Sequence, residues 1–306
     1  MKKLLKLTAL ICCFVFFCLC FSGCFAKNLD GKIEIDGKRI NEAELDSFIA
    51  SRENNGAQDE GNQEIDWFDV NIEINYYIGE ASTASATGTV LMIGKVGIID
   101  ENKYLLDLDF SITDNEVEEG VEIAFTFNGD LIFVDDVFYL NLHKVKTENG
   151  ATTEETIKKM GRQIELDDEA VFDFNHILAI CMDYEFDKSD FVAYSIDENG
   201  VVSENEEDVL FKFYRDSDRL FAESKDAFSL FGFKIKFITQ YQYDFAPNST
   251  KVLAKKFYTR YFFTFALNID SVKLEAKADS EYMITMTRCE ESTITAPDSE
   301  GYEWIE

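Results

Sequence analysis

From Trp67 onward, apolar residues recur at every second position, which is the side-chain period of a strand with one dry and one wet face. Phe68, Val70, Ile72, Ile74 and Tyr76 alternate with Asp69, Asn71, Glu73 and Asn75. Strands follow over 86–100 and 103–113. In the second of these, Tyr104, Leu106, Leu108 and Phe110 take one face and Asp107 and Asp109 the other. A strand over 121–127 ends at Asn128-Gly129, a strong hairpin signal; a further one over 131–134 turns at Asp135-Asp136 into 137–142. The most regular alternation lies at 231–245. There Phe231, Phe233, Ile235, Phe237, Thr239, Tyr241, Tyr243 and Phe245 hold one face, and Gly232, Lys234, Lys236, Gln240, Gln242 and Asp244 hold most of the other. At about 3.3 Å per residue this strand spans roughly 50 Å, which suits a large curled sheet better than a small sandwich. Strands at 191–196, 209–215, 219–225, 257–269, 272–276 and 281–288 complete the pattern.

Two stretches read as helix. One is 152–160. The other opens at Asp167-Asp168-Glu169, where acids favour the positive helix N-terminus, and continues with Val171, Phe174, Ile177, Leu178 and Cys181 at helical spacing. Nearer the N-terminus, Ile33-Glu34-Ile35 and Asp36-Gly37-Lys38 predict a strand and tight turn. Asn41 precedes Glu44 by three residues in the manner of a capping box, ahead of an apolar stripe of Leu45, Phe48 and Ile49. Residues 51–64 are polar, acidic and glycine-containing and predict a flexible linker; the acidic tail 291–306 predicts a loose end. A sheet with one greasy face must cover it. The fold class is therefore α+β, mainly β: one large curled antiparallel sheet, a half-barrel-like meander, with two or three covering helices. The implied organisation is a signal segment at 1–23, a tether with a short hairpin and helix at 24–66, and a β domain at 67–290 with a helical insertion near 152–184.

The first residues carry a different pattern. Lys2 and Lys3 precede an almost wholly apolar run from Leu4 to Phe21, followed by Ser22-Gly23 and Cys24. Charged start, apolar middle and small-residue end form a secretory signal, and the run is short for a bilayer span. Phe21-Ser22-Gly23-Cys24 resembles the lipobox of bacterial lipoproteins. That resemblance implies cleavage before Cys24, a diacylglyceryl group on its thiol and an extracytoplasmic, membrane-anchored protein. Two or three acyl chains give stable attachment. Four other cysteines leave with the signal, so Cys181 and Cys289 remain. In an oxidising compartment they form either a disulfide or two free buried thiols.

Charge narrows the list of partners. The chain has 59 acids against 29 bases, a net −30; residues 1–23 hold three bases and no acid, so the remainder carries 59 against 26, or −33. Such a chain is repelled by phosphate backbones and anionic headgroups, which argues against nucleic acid. The chemistry-bearing motifs are sparse. The two histidines, His143 and His176, have no metal-spaced companions. No nucleophile-elbow, zinc-protease or phosphate-loop pattern occurs. The carboxylate pairs Asp107/Asp109, Asp135/Asp136 and Asp167/Asp168 arise readily among 59 acids. No catalytic residue, metal or cofactor is assigned.

The order of strands, helical insertion and strands over about 67–290 is similar in pattern to half-barrel lipoproteins and lipid carriers of the LolA/LppX type. That similarity implies a hydrophobic cavity for acyl chains. With 28 phenylalanines, the face of Phe231, Phe233, Ile235, Phe237 and Tyr241 either lines such a pocket or fills an ordinary core. The expectation is a non-catalytic, lipid-anchored protein that binds a lipid or other apolar ligand. The alternatives are a solid-cored surface interaction lipoprotein and, less favoured, an envelope hydrolase.

Overall fold

The computed structural model describes residues 29–56, 65–80, 84–100, 103–118, 120–162, 181–182, 184–191, 193–196, 202–205, 211–230, 233–269 and 272–305. In chain order they form β1 (Lys38–Ile40), α1 (Glu42–Gly56), β2 (Asp66–Glu80), β3 (Ala84–Asp100), β4 (Lys103–Glu118), β5 (Val121–Val134), β6 (Val137–Glu148) and β7 (Ala151–Gly161). A 3-10 turn at Lys188–Phe191 precedes β8 (Ala193–Ile196), β9 (Val202–Asn205), β10 (Lys212–Asp216), β11 (Arg219–Leu230), β12 (Phe233–Phe245), β13 (Val252–Ile269), β14 (Val272–Arg288) and β15 (Glu303–Ile305).

Two meanders make one sheet. β2 to β7 pair in sequence, as do β10 to β14, and the last strand of the second meander joins the first strand of the first through the β14–β2 ladder. The order β1-β10-β11-β12-β13-β14-β2-β3-β4-β5-β6-β7-β15 contains 13 strands, antiparallel except for β15 against β7; β8 and β9 form a separate pair. The sheet is open between edge strands β1 and β15, and it is neither closed nor strongly curled, which corrects the half-barrel expectation. Curling a sheet depends on bulges and kinks. Across these long ladders the register shifts only at Ile98/Asp100 and Asp244/Phe245.

The alternation in the sequence sorts the faces. Phe68, Ile72, Met92, Leu106, Leu108 and Leu140 lie on one face, here called inner, and are fully buried in the main core with Cys181. α1 covers the second meander on the same side. Leu45 and Phe48 pack against Phe213, Leu220, Tyr243 and Phe245. Its N-terminus is a reciprocal capping box: the Glu44 backbone N–H donates to Asn41 Oδ1 at 2.9 Å and the Asn41 N–H donates to Glu44 Oε2 at 3.0 Å. Among the described residues α1 and the 3-10 turn are the helical cover, with Cys181 and Met182 at the end of the second predicted helix. The remainder of that helix, including Val171, Phe174, Ile177 and Leu178, lies outside the described residues.

Several expectations change. Residues 152–160 belong to strand β7, because pairing with β6 outweighs their weak helical pattern. Asn128-Gly129 lies mid-strand in β5. A Cβ on Gly129 would sit 2.1 Å from the Asn141 carbonyl oxygen, so this glycine serves close strand approach rather than a turn. The hairpin uses Asn149-Gly150 instead, with φ of 51° and 78°, and Asp135-Asp136 turns as expected with φ of 54° and 59°. Ile33-Glu34-Ile35 is not a strand; β1 begins at Lys38.

The linker expectation also shortens, because α1 runs to Gly56. Arg52, 4% exposed, holds it there by donating to the carbonyls of Ala246 (3.0 Å) and Ser249 (2.9 Å) in the β12–β13 turn and to Asp218. The C-terminal tail is docked rather than loose. Ile294 packs beside Trp67 and Val134, Tyr302 meets Tyr139 edge-on at 5.7 Å, and β15 adds to β7.

Candidate functional site

Directly paired residues in an antiparallel sheet point to the same side. One such row crosses the inner face as Phe237, Tyr261, Ser280, Tyr76, Gly88, Asp114, Phe125 and Lys146, from β12 to β6. The row marks a boundary. On one side of it lies the buried core of Ile74, Val90, Ile112 and Phe127. On the other side the face is half-buried and aromatic: Phe233 sits 4.4 Å from Phe265 and 5.8 Å from Phe263, centroid to centroid, and Phe237 lies 6.4 Å from Tyr261.

The predicted apolar face divides along β12. Ile235 is buried, Phe237 and Tyr241 are half-buried, and Phe233 is 36% exposed. Phe231 lies outside the described residues. Tyr241 belongs to the packed core, where it meets Phe191 at 5.1 Å and Phe257 at 5.0 Å. Of the five residues, Phe233 and Phe237 therefore remain on the accessible part of the strip.

Sequence reading missed the polar members of this row. Asp114 is 3% exposed, and its Oδ1 has no hydrogen-bond partner among the described residues. Burial raises its carboxyl above the ordinary carboxylate range, against the lowering effect of a hydrogen bond from Tyr76. Burial and the facing Asp114 carboxylate likewise raise the Tyr76 phenol. Gly88 makes room for this contact, since a Cβ there would lie 2.3 Å from Tyr76 Cζ. Asp114 shares the parity of Tyr104, Leu106, Leu108 and Phe110, but the strand expected over 103–113 stops one residue short of it. Lys255, 2% exposed, is a second hidden ionic group. Its Nζ lies 5.9 Å and 5.5 Å from the Tyr241 and Tyr243 ring centroids, a cation–π arrangement that favours the ammonium.

The remaining candidates lie apart from this strip. Cys181 and Cys289 are free. Cys181 packs with Phe68 on the inner face, whereas Cys289 belongs with Trp67, the neighbouring residue that points the opposite way, so the sheet stands between the two thiols. Burial pushes the Cys181 thiol up to about 12. Asp107 and Asp109 face outward, and burial followed by the charges of Asp109 and Asp130 raises Asp107. Among the described residues no group of three His, Cys, Asp or Glu side chains is placed to hold a metal. His143 faces Thr156 at 3.4 Å; His176 and Cys24 lie outside the described residues. A separate open groove of about 790 Å³ runs between α1 and β1/β10, where the Arg215 guanidinium stacks 4.4 Å over Phe48.

No family model matches the chain, and no curated protein matches it. Among solved structures, the translocator domain of the autotransporter NalP from Neisseria meningitidis matches over 81% of this chain and 96% of its own, at 7% identity and a TM-score of 0.22. A putative AttH from Nitrosomonas europaea matches over 78% of this chain and 55% of its own, at 11% identity and a TM-score of 0.18. Similarity at this level assigns neither a fold family nor a function.

Proposed function

We propose that the protein is a non-catalytic, lipid-anchored extracytoplasmic binding protein that takes an amphipathic ligand on the inner face of its sheet. The apolar part of the ligand would lie along Phe233, Phe237, Phe263 and Phe265. Its head would carry a hydrogen-bond donor for Asp114. The observation that carries this reading is the orphaned Oδ1 of a buried carboxylate in line with an accessible aromatic strip. An unpaired buried acceptor costs about 1–3 kcal/mol, and a donor on a ligand offsets that cost. From Phe237 to Asp114 there are five strand spacings, roughly 24 Å at about 4.8 Å each, which is the scale of a long acyl chain. The anchor rests on the Ser22-Gly23-Cys24 resemblance.

The test is mass spectrometry of the full chain purified gently from membrane. The expected result is a stoichiometric amphiphile, diminished by Phe237→Glu. A chain that carries no amphiphile, or carries the same amount in the variant, contradicts the reading. It would then favour a solid-cored interaction lipoprotein, for which the packing of Tyr241, Tyr243 and Phe245 beneath α1 already speaks.

A further inference from the structure

The sheet ends on a strand that is only partly covered. β7 pairs along its whole length with β6, but β15 takes only its last three residues: Glu303, Trp304 and Ile305 lie beside Lys159, Met160 and Gly161. Among the described residues no strand pairs with 151–158 on the side away from β6. All of these residues except Ile157 are exposed. Such an edge presents free backbone N–H and C=O groups to any strand that fits it.

The charges on this strand are ordered. Two acids, Glu154 and Glu155, precede two bases, Lys158 and Lys159. A parallel copy would set like charges side by side, whereas an antiparallel copy sets acid against base. Two antiparallel copies of one strand are related by a twofold axis perpendicular to the sheet, so one residue must face itself. Centring on Glu154, Glu155 or Lys158 puts like charges face to face. Centring on Thr156 puts Glu154 opposite Lys158 of the second copy, Lys158 opposite its Glu154, and Thr156 against Thr156. These three side chains share the outer face. Across β6, Glu154 and Lys158 lie opposite Val145 and Asn141, so no charge directly opposite competes for them, whereas Glu155 lies opposite Lys144. The same sheet already makes both kinds of pair. Lys95 and Asp69, directly opposed on β3 and β2, meet at 2.6 Å, and Thr89 and Thr113 on β3 and β4 meet at 2.8 Å.

In that register Thr153, Thr152 and Ala151 of the second copy would lie opposite Lys159, Met160 and Gly161, and β15 occupies those three places. The C-terminal segment also answers the lysines in the way an acidic edge would. The Tyr302 ring lies 5.5 Å from Lys158 Nζ, and Glu303 lies opposite Lys159. Its hold is slight. β15 has three residues, its pairing with β7 is parallel, and Trp304 at its centre is 50% exposed; parallel pairing is slightly weaker per residue than antiparallel.

We propose that β7 is a homodimerisation edge and that β15 is the plug that closes it. Release of β15 lets a second copy of this chain add its own β7 about a twofold axis at Thr156, which joins the two sheets edge to edge with inner face beside inner face. The cis and trans strands compete for one row of backbone groups, so the docked tail and the full β7–β7 ladder exclude each other. The inference rests on this edge alone and is independent of what the inner face binds.

The experiment is light scattering of the solubilised full chain, unchanged and as E303P/W304P, which removes two ladder donors from β15. The unchanged chain should be monomeric, and the variant should dimerise as its concentration rises. In that background E154K should weaken the dimer about tenfold or more, because two ion pairs become two like-charge pairs, and E154K/K158E should restore it. Cysteine pairing reads the register. With copper phenanthroline as oxidant, T156C should link to its own copy in the E303P/W304P chain, and several-fold more slowly where β15 is intact, because β15 must first leave. T152C, on the same face of the same strand, should link in neither. A folded E303P/W304P chain that stays monomeric, a dimer indifferent to E154K, or links that form equally at 152 and 156 overturns the proposal. The T156C measurement with β15 intact needs no proline, so it still decides if E303P/W304P fails to fold: absence of the link there overturns the proposal as well.

Discussion

The two meanders share one sheet and one alternating pattern, yet they are finished differently. The first, β2–β7, buries its inner face in the main core and leaves much of its outer face to water, including Leu91 at 42% and Ile93 at 52% exposure. Among the described residues, one end of that outer face is covered, by Ile294 and Tyr302 of the C-terminal segment. The second, β10–β14, is covered on both sides over part of its length, by α1 within and by residues 29–36 without. Polar positions therefore mean different things in the two halves. Glu73 and Asn71 are wet, whereas Gln240 and Gln242, at equivalent outward positions, are buried. The chain termini, which read as tether and tail, complete the sheet by supplying the cover that helices do not.

The largest effects should come from the rings beneath these covers. Phe68→Ala and Phe221→Ala each empty a fully buried site and should each cost about 3–5 kcal/mol by urea unfolding. The contrast between halves lies in hydrogen exchange: only Phe221→Ala should release the amides of residues 29–36. Protection there in both variants would break the comparison. Arg52→Ala should cost about 2 kcal/mol, since it takes a donor from the Ser249 carbonyl and from Asp218 and leaves the Ala246 carbonyl to the Ser249 N–H. Arg52→Lys should recover little of this, because an ammonium cannot span the same acceptors.

Gln240→Ala should cost about 1–2 kcal/mol by leaving the Ile33 N–H without its partner and Glu223 to Lys225, again with faster exchange confined to the N-terminal segment. The smallest effect should be a gain. The Asp114 carboxyl is raised in the fold, so its charged form opposes folding above its unfolded value, and that penalty is relieved as pH falls through the raised folded value. Asp114→Asn should therefore stabilise the protein at pH 7, by about 1 kcal/mol, with the gain vanishing below about pH 4. Thermal melts across that range check the sign. Asp66 runs the other way. Burial opposes its charge, but hydrogen bonds from Arg288 and Tyr184 hold its carboxyl below the ordinary range, so its contribution is present at neutral pH and lost as acid reaches that lowered value.

Much of this fold was legible because period-two alternation is a local signal. The faces of β2, β4 and β12 follow from it directly, and the Asn41–Glu44 cap follows from an equally local three-residue spacing. What stayed hidden depended on long-range partners. Asn128-Gly129 and Asn149-Gly150 are the same dipeptide, and only the neighbouring strand decides that the first is a close-packed strand interior and the second a turn. The placement of β7 between β6 and β15, the docking of Arg52 in a distant turn and the contact of Asp114 with Tyr76 likewise have no local signature.

The measurement closest to the central claim is a calorimetric titration of the delipidated full chain with dodecylammonium and, separately, dodecyl sulfate, both below their micellar concentrations. The account predicts saturable binding of the ammonium probe that weakens about tenfold or more in Asp114→Asn, as expected for loss of a charge-assisted hydrogen bond of about 1.5–3 kcal/mol, with sulfate binding unchanged. Ammonium binding that is equal in the two proteins, or absent from both, would contradict it.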